Sequence, residues 1–253
     1  MLEKFLIPVY MPRWLYDSAT RLKRTVAPPK VREGLDLSGD RDIEWSFIAA
    51  RIPKGPGAAL DFGCYSGNLC VLAAQHGFQV LGIDLETHQF PYHHPNVEFR
   101  CGDLIHMELP TEKFDLILNC STIEHVGLPG RYGVTSEQGD GDLRAMRKLL
   151  SLMKSSGRML LTLPCGQDAT FIPWHRVYGH ERLPRLLEGY EIEEQRFWMK
   201  EPDNRWKECD PEKALSFAPT GHSTVAVYCS YALGCFVLRK KATAPANGAS
   251  DGG

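Results

Sequence analysis

Asp61, Gly63, Tyr65, Gly67 and Asp84 are the residues whose types and spacing first point to chemistry. They lie in residues 59–86, which read as an apolar strand ending in Asp61, a glycine-bearing turn, a helix, and a second strand ending in Asp84. A strand, tight turn and helix that put an acid about 20 positions further on form the framework for an adenosine-containing cofactor. The details choose among such cofactors. A dinucleotide fold leaves its turn open, so that a pyrophosphate sits on the helix N-terminus where the dipole favours negative charge. Here Asp61 precedes the turn, and the pattern is D-x-G-x-x-x-G rather than G-x-G-x-x-G. A carboxylate at that place suits a cationic end group such as an amino-acid ammonium. Asp84 can accept both hydroxyls of a ribose through charge-assisted bonds. The plainer reading is a strand-terminal Asp that starts a turn.

On this stretch the chain resembles the class I S-adenosylmethionine (SAM)-dependent methyltransferases, whose first motif is D-x-G-x-G-x-G. Aligning Asp61, Gly63 and Gly67 puts Tyr65 where that family usually has its middle glycine, favoured for close backbone approach or positive φ. A tyrosine there either lies over the cofactor and caps the pocket or weakens binding. The resemblance extends over residues 40–240. It implies cofactor contacts from Asp61, Gly63, Tyr65, Gly67, Asp84 and its neighbour Leu85. After the third strand, Asp103 is in register for the acid that bonds the adenine amino group, with Leu104 against the ring.

Residues 114–127 resemble the fourth strand of small-molecule methyltransferases, which commonly ends in an S-x-x-x-E-H-like sequence. Phe114, Leu116 and Leu118 alternate with Asp115, Ile117 and Asn119, as a buried strand leading to a polar mouth does. The resemblance places Asn119 and Ser121 beside the methionine part of the cofactor, and Glu124 and His125 toward the reacting methyl. The N-P-P-Y-like sequence of amino-methylating nucleic-acid enzymes is absent here.

Beyond it, a glycine-rich loop carrying Arg131 and Tyr132 leads to a helix. Asp142 reads as its N-cap, Leu143, Met146, Leu149, Leu150 and Met153 as its apolar face, and Ser156-Gly157 as its stop. Arg131 and Tyr132 either contact an acceptor or anchor the loop. The loop after the fifth strand carries Asp168, Phe171, Trp174, His175, Arg176 and Tyr178, on the side of the sheet where open α/β folds bind ligands. Aromatics with a few convergent polar groups make a small-ligand pocket. Substrate contacts are therefore expected from Glu124, Arg131, Tyr132, Trp174, Arg176 and Tyr178. Pro164-Cys165 invites a cytosine-C5 reading, but the companion motifs and a basic stripe are missing. His88, His93, His94 and His106 lie on separate loop positions without an i, i+4 pair, so no metal site is expected.

Methyl transfer from a sulfonium is an in-line displacement for which the protein supplies alignment and a dry pocket. A hydroxyl acceptor must also lose its proton, and an imidazole with an ordinary pKa of about 6.5 is the natural base. His125 and His175 are the expected catalytic bases, although a lone histidine such as His175 reads equally well as a satisfied structural residue. The resulting expectation is methyl transfer to a small-molecule or glycan acceptor, at a hydroxyl oxygen. Two alternatives stand beside it. One is a non-catalytic SAM-fold protein that binds a partner. The other is a nicotinamide oxidoreductase, which the missing G-x-G-x-x-G and Tyr-x-x-x-Lys patterns oppose.

Positioning these residues requires an α/β domain. Strands are predicted at 58–62, 79–84, 97–101, 114–120, 158–163, 190–198 and 229–238, most of them separated by helices, the pattern of a parallel sheet with right-handed crossovers. The last two lack a crossover helix, so the final strand is expected to run antiparallel. Order 3-2-1-4-5-7-6, in a Rossmann-like sheet with helices on both faces, is what the methyltransferase resemblance implies. Residues 39–240 form the domain, 1–38 an N-terminal arm and 241–253 a tail read as disordered. Before the first strand, Ile43, Phe47, Ile48 and Ile52 predict an amphipathic helix that Pro53 stops.

With 253 residues and 43% hydrophobic content the chain can bury a real core. A formal charge of -2 gives no whole-chain pull toward nucleic acid. Eight cysteines without a C-x-x-C pair, several inside apolar runs, point to reduced thiols in the cytoplasm. The arm carries Pro8 and Pro12 and lacks a long apolar run, so neither a signal peptide nor a membrane span is expected. The prolines favour packing on the domain, or self-association, over a membrane-surface helix.

Overall fold

Apolar strands buried on both faces need helices on each side, and the chain supplies them. The computed structural model describes residues 40–87, 93–130, 132, 134, 139–201, 205–220 and 231–242. The arm, Arg131 and all but the first residues of the tail lie outside them. Helix α1 (Asp40–Ala49) precedes β1 (Gly57–Phe62), α2 (Asn68–Gln75), β2 (Phe78–Asp84), β3 (Val97–Cys101) and β4 (Phe114–Cys120). A 3-10 turn (Ile123–His125) and α3 (Gly141–Leu152) lead to β5 (Met153–Cys165). Then come the ribbon strands β6 (Ala169–Phe171) and β7 (His175–Val177), α4 (Arg182–Leu186), β8 (Tyr190–Lys200), β9 (Trp206–Cys209), α5 (Pro211–Leu215) and β10 (Ala232–Lys240).

The sheet order is β3-β2-β1-β4-β5-β10-β8-β9. Strands β1 to β5 pair in parallel, and β10 runs antiparallel to both β5 and β8. This is the expected 3-2-1-4-5-7-6 order with one strand added at the edge. On one face Leu60, Ile83, Ile117 and Leu161 pack with Met146 and Leu149 of α3. On the other, Ala59, Leu116 and Leu118 pack with Phe47 and Ile48 of α1 and with Cys70 and Ala73 of α2. The chain leaves β1 toward β2 and later returns to its other side as β4, so the crevice opens above the ends of β1 and β4, where such sheets bind ligands.

Three elements differ from the sequence-based expectation. Helix α3 stops at Leu152 and Met153 is already extended (φ -79, ψ 133), with no loop before β5. Gly157 therefore lies inside the strand, where a Cβ would come within 2.9 Å of the Phe114 carbonyl oxygen. Asp140, not Asp142, occupies the N-cap position, because the Asp142 side chain is drawn into the core. Between the last two predicted strands, where no crossover helix is expected, stand β9 and the short α5; β9 is too short and too charged for an alternating pattern to reveal it. Among the described residues, no helix is long and apolar enough to cross a membrane.

Candidate active site

The turn after β1 is stitched to β2. Gly63 and Cys64 donate their N–H groups to the Ile83 carbonyl at 2.8 and 3.2 Å. Gly63 has φ 76, and a Cβ there would collide with the Thr122 side chain, so only glycine fits. Gly67, at φ 72, caps α2. Tyr65 stands between them at φ 40, in the left-handed region a glycine adopts without cost, and the residue is 58% exposed. Its N–H donates to Asp84 Oδ2 at 2.9 Å, and the Glu86 N–H donates to Asp84 Oδ1 at 3.2 Å. Leu85 stands exposed beside them.

Asp61 forms the floor, 2% exposed, and accepts the Cys70 thiol at 3.2 Å. Burial, opposed by that bond and reinforced by the nearby Asp84 charge, pushes its carboxyl up to about 7. The cleft above it is lined by Arg41 and Trp45 of α1 together with Asp61, Gly63, Tyr65 and Cys120. The sequence pattern marked α1 only as a packing helix and missed its polar contribution. The Arg41/Glu44 spacing of three residues was the available signal. Arg41 Nη1 lies 2.7 Å from Glu44 Oε2 and 3.4 Å from the Cys120 sulfur. Glu44 is fully buried and accepts the Ser121 hydroxyl and, at 2.9 Å, the Thr162 hydroxyl. It thereby ties α1 to the ends of β4 and β5. Burial pushes this carboxyl up, while Arg41 holds it down.

At the end of β4, Asn119 is fully buried, and neither polar atom of its amide has a protein partner among the described residues. The backbone then turns through Ser121 at φ 46 into the 3-10 turn. Glu124 in that turn is buried, and burial pushes its carboxyl up to about 8. Its Oε1 lies 3.6 Å from His125 Nε2. His125 is anchored through Nδ1, which donates to the Trp174 carbonyl, and the Tyr132 ring meets it edge-on with centroids 5.9 Å apart. Glu124, His125, Tyr132 and Trp174 are thus brought together.

Arg176 and Tyr178 are not at the mouth. Both are buried behind it. Arg176 Nη1 donates to the carbonyls of Val126 (2.6 Å) and Glu124 (3.5 Å), so it holds the backbone of the turn. The Tyr178 hydroxyl donates to Asp142 at 3.0 Å, and Arg182 clamps the same carboxylate from Nε and Nη2 at 2.9 and 2.6 Å. Leu104 likewise goes into the core, leaving Asp103 half-exposed at its corner, where it accepts the Ile105 N–H at 2.9 Å. His175 is buried between the rings of Phe171 and Tyr231, with centroids 5.6 and 5.4 Å away. Tyr231 in turn donates to Asp40 Oδ2 at 2.6 Å. Asp168 accepts three backbone N–H groups, from Gly179, Glu181 and Arg182, and so anchors its loop.

A doubly wound sheet with this strand order, and acids closing β1 and β2 beneath one cleft, has the fold of the class I SAM-dependent methyltransferases. More particularly, the chain belongs to the family described as "Caenorhabditis protein of unknown function, DUF268", whose family model matches residues 70–203. It is similar to two enzymes named ubiquinone biosynthesis O-methyltransferase. That of Bradyrhizobium sp. (strain ORS 278) is 34% identical over 74 residues, 26% of this chain and 29% of that protein. That of Rhodopseudomonas palustris (strain HaA2) is 30% identical over 110 residues, 40% of this chain and 38% of that protein. The chain therefore spans well under half the length of these curated relatives. Among solved structures it is similar to the 1,6-didemethyltoxoflavin-N1-methyltransferase of Burkholderia thailandensis, which holds 1,6-didemethyltoxoflavin and S-adenosylhomocysteine. The TM-score is 0.52 and the identity 14%, over 93% of this chain and 92% of that one.

Proposed function

We propose that this protein transfers a methyl group from SAM to a hydroxyl oxygen of a small molecule. The observation that carries the reading is the charge pattern of the cleft over the β1 turn. Asp61 and Arg41 line it together, matched to the ammonium and carboxylate of a methionine end. Asp84, the acid that closes β2 beside the turn, matches the ribose diol. The Asn119 amide, buried and unpartnered by protein, is a further group that a polar ligand at this crevice satisfies. The residues present therefore fit SAM.

SAM held over Asp61, Arg41 and Asp84 would supply an electrophilic methyl carbon with a neutral thioether as its leaving group. The chain's own part is alignment and proton removal. A carbonyl cannot donate, so the contact with Trp174 fixes the proton of a neutral His125 on Nδ1 and makes Nε2 the basic nitrogen. His175, buried between two rings, is better suited to supporting the wall. The names of the ubiquinone-biosynthesis relatives favour oxygen as acceptor atom.

Release of S-adenosylhomocysteine, measured over a panel of phenols and alcohols, tests this. Turnover is expected with at least one member, falling about 100-fold or more in His125→Gln. Undiminished turnover in that variant, or none by the wild type on any member, would contradict the reading.

A further inference from the structure

Glu124 is a buried acid to which alignment and proton removal by His125 give no task. Building on the methyl-transfer reading, we propose that Glu124 and His125 are a dyad sharing one proton, Glu124 being the positioning residue that governs His125. The two groups are neighbours in space: Oε1 and Nε2 stand 3.6 Å apart, an ion-pair separation that leaves room to tighten when an acceptor arrives. The imidazole has no choice of tautomer, because Nδ1 is committed to the Trp174 carbonyl, so Nε2 is the nitrogen that gains and loses the proton.

Glu124 is also badly placed to be an isolated anion. Its Oε2 is buried with no protein partner among the described residues. Asp40, Arg41 and Glu44 of α1 face it, with Tyr178 beside β7 and Tyr231 before β10. Arg41 is already ion-paired with Glu44 at 2.7 Å. Arg176 of β7 directs Nη1 at the backbone carbonyls of Glu124 and Val126. Beside Arg41, the imidazolium that forms at His125 is a charge able to compensate a Glu124 carboxylate. When the acceptor O–H bond breaks, its electron pair stays on oxygen and the proton goes to His125 Nε2. The pair enters the step with Glu124 ionised and Nε2 unprotonated, so this is the one proton the two groups share until it leaves to water.

Nuclear magnetic resonance on the full chain, with 15N-labelled imidazoles, reads this directly; the His125 signals are those lost in His125→Gln. In the wild type the Nε2 shift is expected to titrate in two steps, since strongly coupled groups titrate as a pair. Glu124→Gln collapses these to one. Glu124→Asp is the second variant, should the first fail to fold: it keeps two steps but moves the first by about one pH unit. A single step at one midpoint in wild type and Glu124→Gln, or an aspartate variant identical to wild type, overturns the dyad. The measurement needs neither SAM nor acceptor. A chain that shows the shared titration yet binds no SAM would defeat the methyl-transfer reading and leave the dyad standing.

Discussion

The backbone N–H of Tyr65 donates to Asp84 Oδ2 at 2.9 Å, so the turn after β1 and the end of β2 form a single unit. Asp84 thus holds the turn, and in the proposed function it also receives the ribose. Asp84→Ala removes both. Hydrogen bonds to charged groups contribute about 1.5–3 kcal/mol, so SAM affinity is expected to fall about 10- to 100-fold, measured by isothermal titration calorimetry. Affinity within a factor of about two of wild type would show that the ribose is held elsewhere.

Tyr65 occupies a glycine's conformation. At φ 40 an L-residue carries strain of about 1 kcal/mol, partly offset by the greater chain entropy that glycine loses on folding. Tyr65→Gly should raise the thermal midpoint by about 1–3 °C for a chain of this size. Tyr65→Phe should leave it unchanged. A lower midpoint in the glycine variant would mean that the tyrosine ring contributes more packing than its backbone costs.

Asp61 makes both stability and ligand binding depend on pH. Burial pushes its carboxyl up to about 7, above the ordinary range. As pH rises past the ordinary carboxylate value the unfolded chain ionises first, so this group's contribution to stability falls until Asp61 itself ionises at about 7. A bound ammonium reverses the preference by favouring the ionised form. SAM binding is therefore expected to tighten as pH rises through about 7 and to release a proton there, detected by calorimetry in buffers of different ionisation heat. Asp61→Asn should abolish the proton release, and release persisting in that variant would assign it to another group.

Asp142 is a buried charge clamped by Arg182 from two nitrogens, with Tyr178 donating and Arg176 3.9 Å away. Removing the clamp leaves the charge undercompensated. Arg182→Ala should cost about 3 kcal/mol in chemical denaturation, and Arg182→Lys should recover little, because an ammonium cannot reproduce the bidentate fork. A cost below about 0.5 kcal/mol would show that Arg176 and Tyr178 suffice.

The residues that the sequence shows best are those whose relation is local along the chain. Asp61, the turn glycines and Asp84 are separated by one strand–helix–strand unit, and their geometry follows from it. The antiparallel last strand was equally legible, because a missing crossover helix permits little else. Arg41 and Glu44 were not, since a helix that packs by its apolar stripe says nothing about which polar edge reaches the ends of distant strands. Arg176 and Tyr178 misled for a related reason. A pocket lining and the wall behind it have the same composition, and here the choice is made by Asp142, which lies 34 and 36 residues earlier in the chain. The helix-to-strand junction at Met153 has no loop, so no turn residues could mark it.

The central claim is that the cleft over the β1 turn binds SAM. Calorimetric titration of the full chain with SAM at neutral pH, beside the same titration with NAD, tests it most directly. Saturable binding of SAM in the micromolar range, about -8 kcal/mol, with no NAD heat, is the predicted result. No SAM binding at millimolar ligand, or saturable binding of NAD in its place, would contradict it.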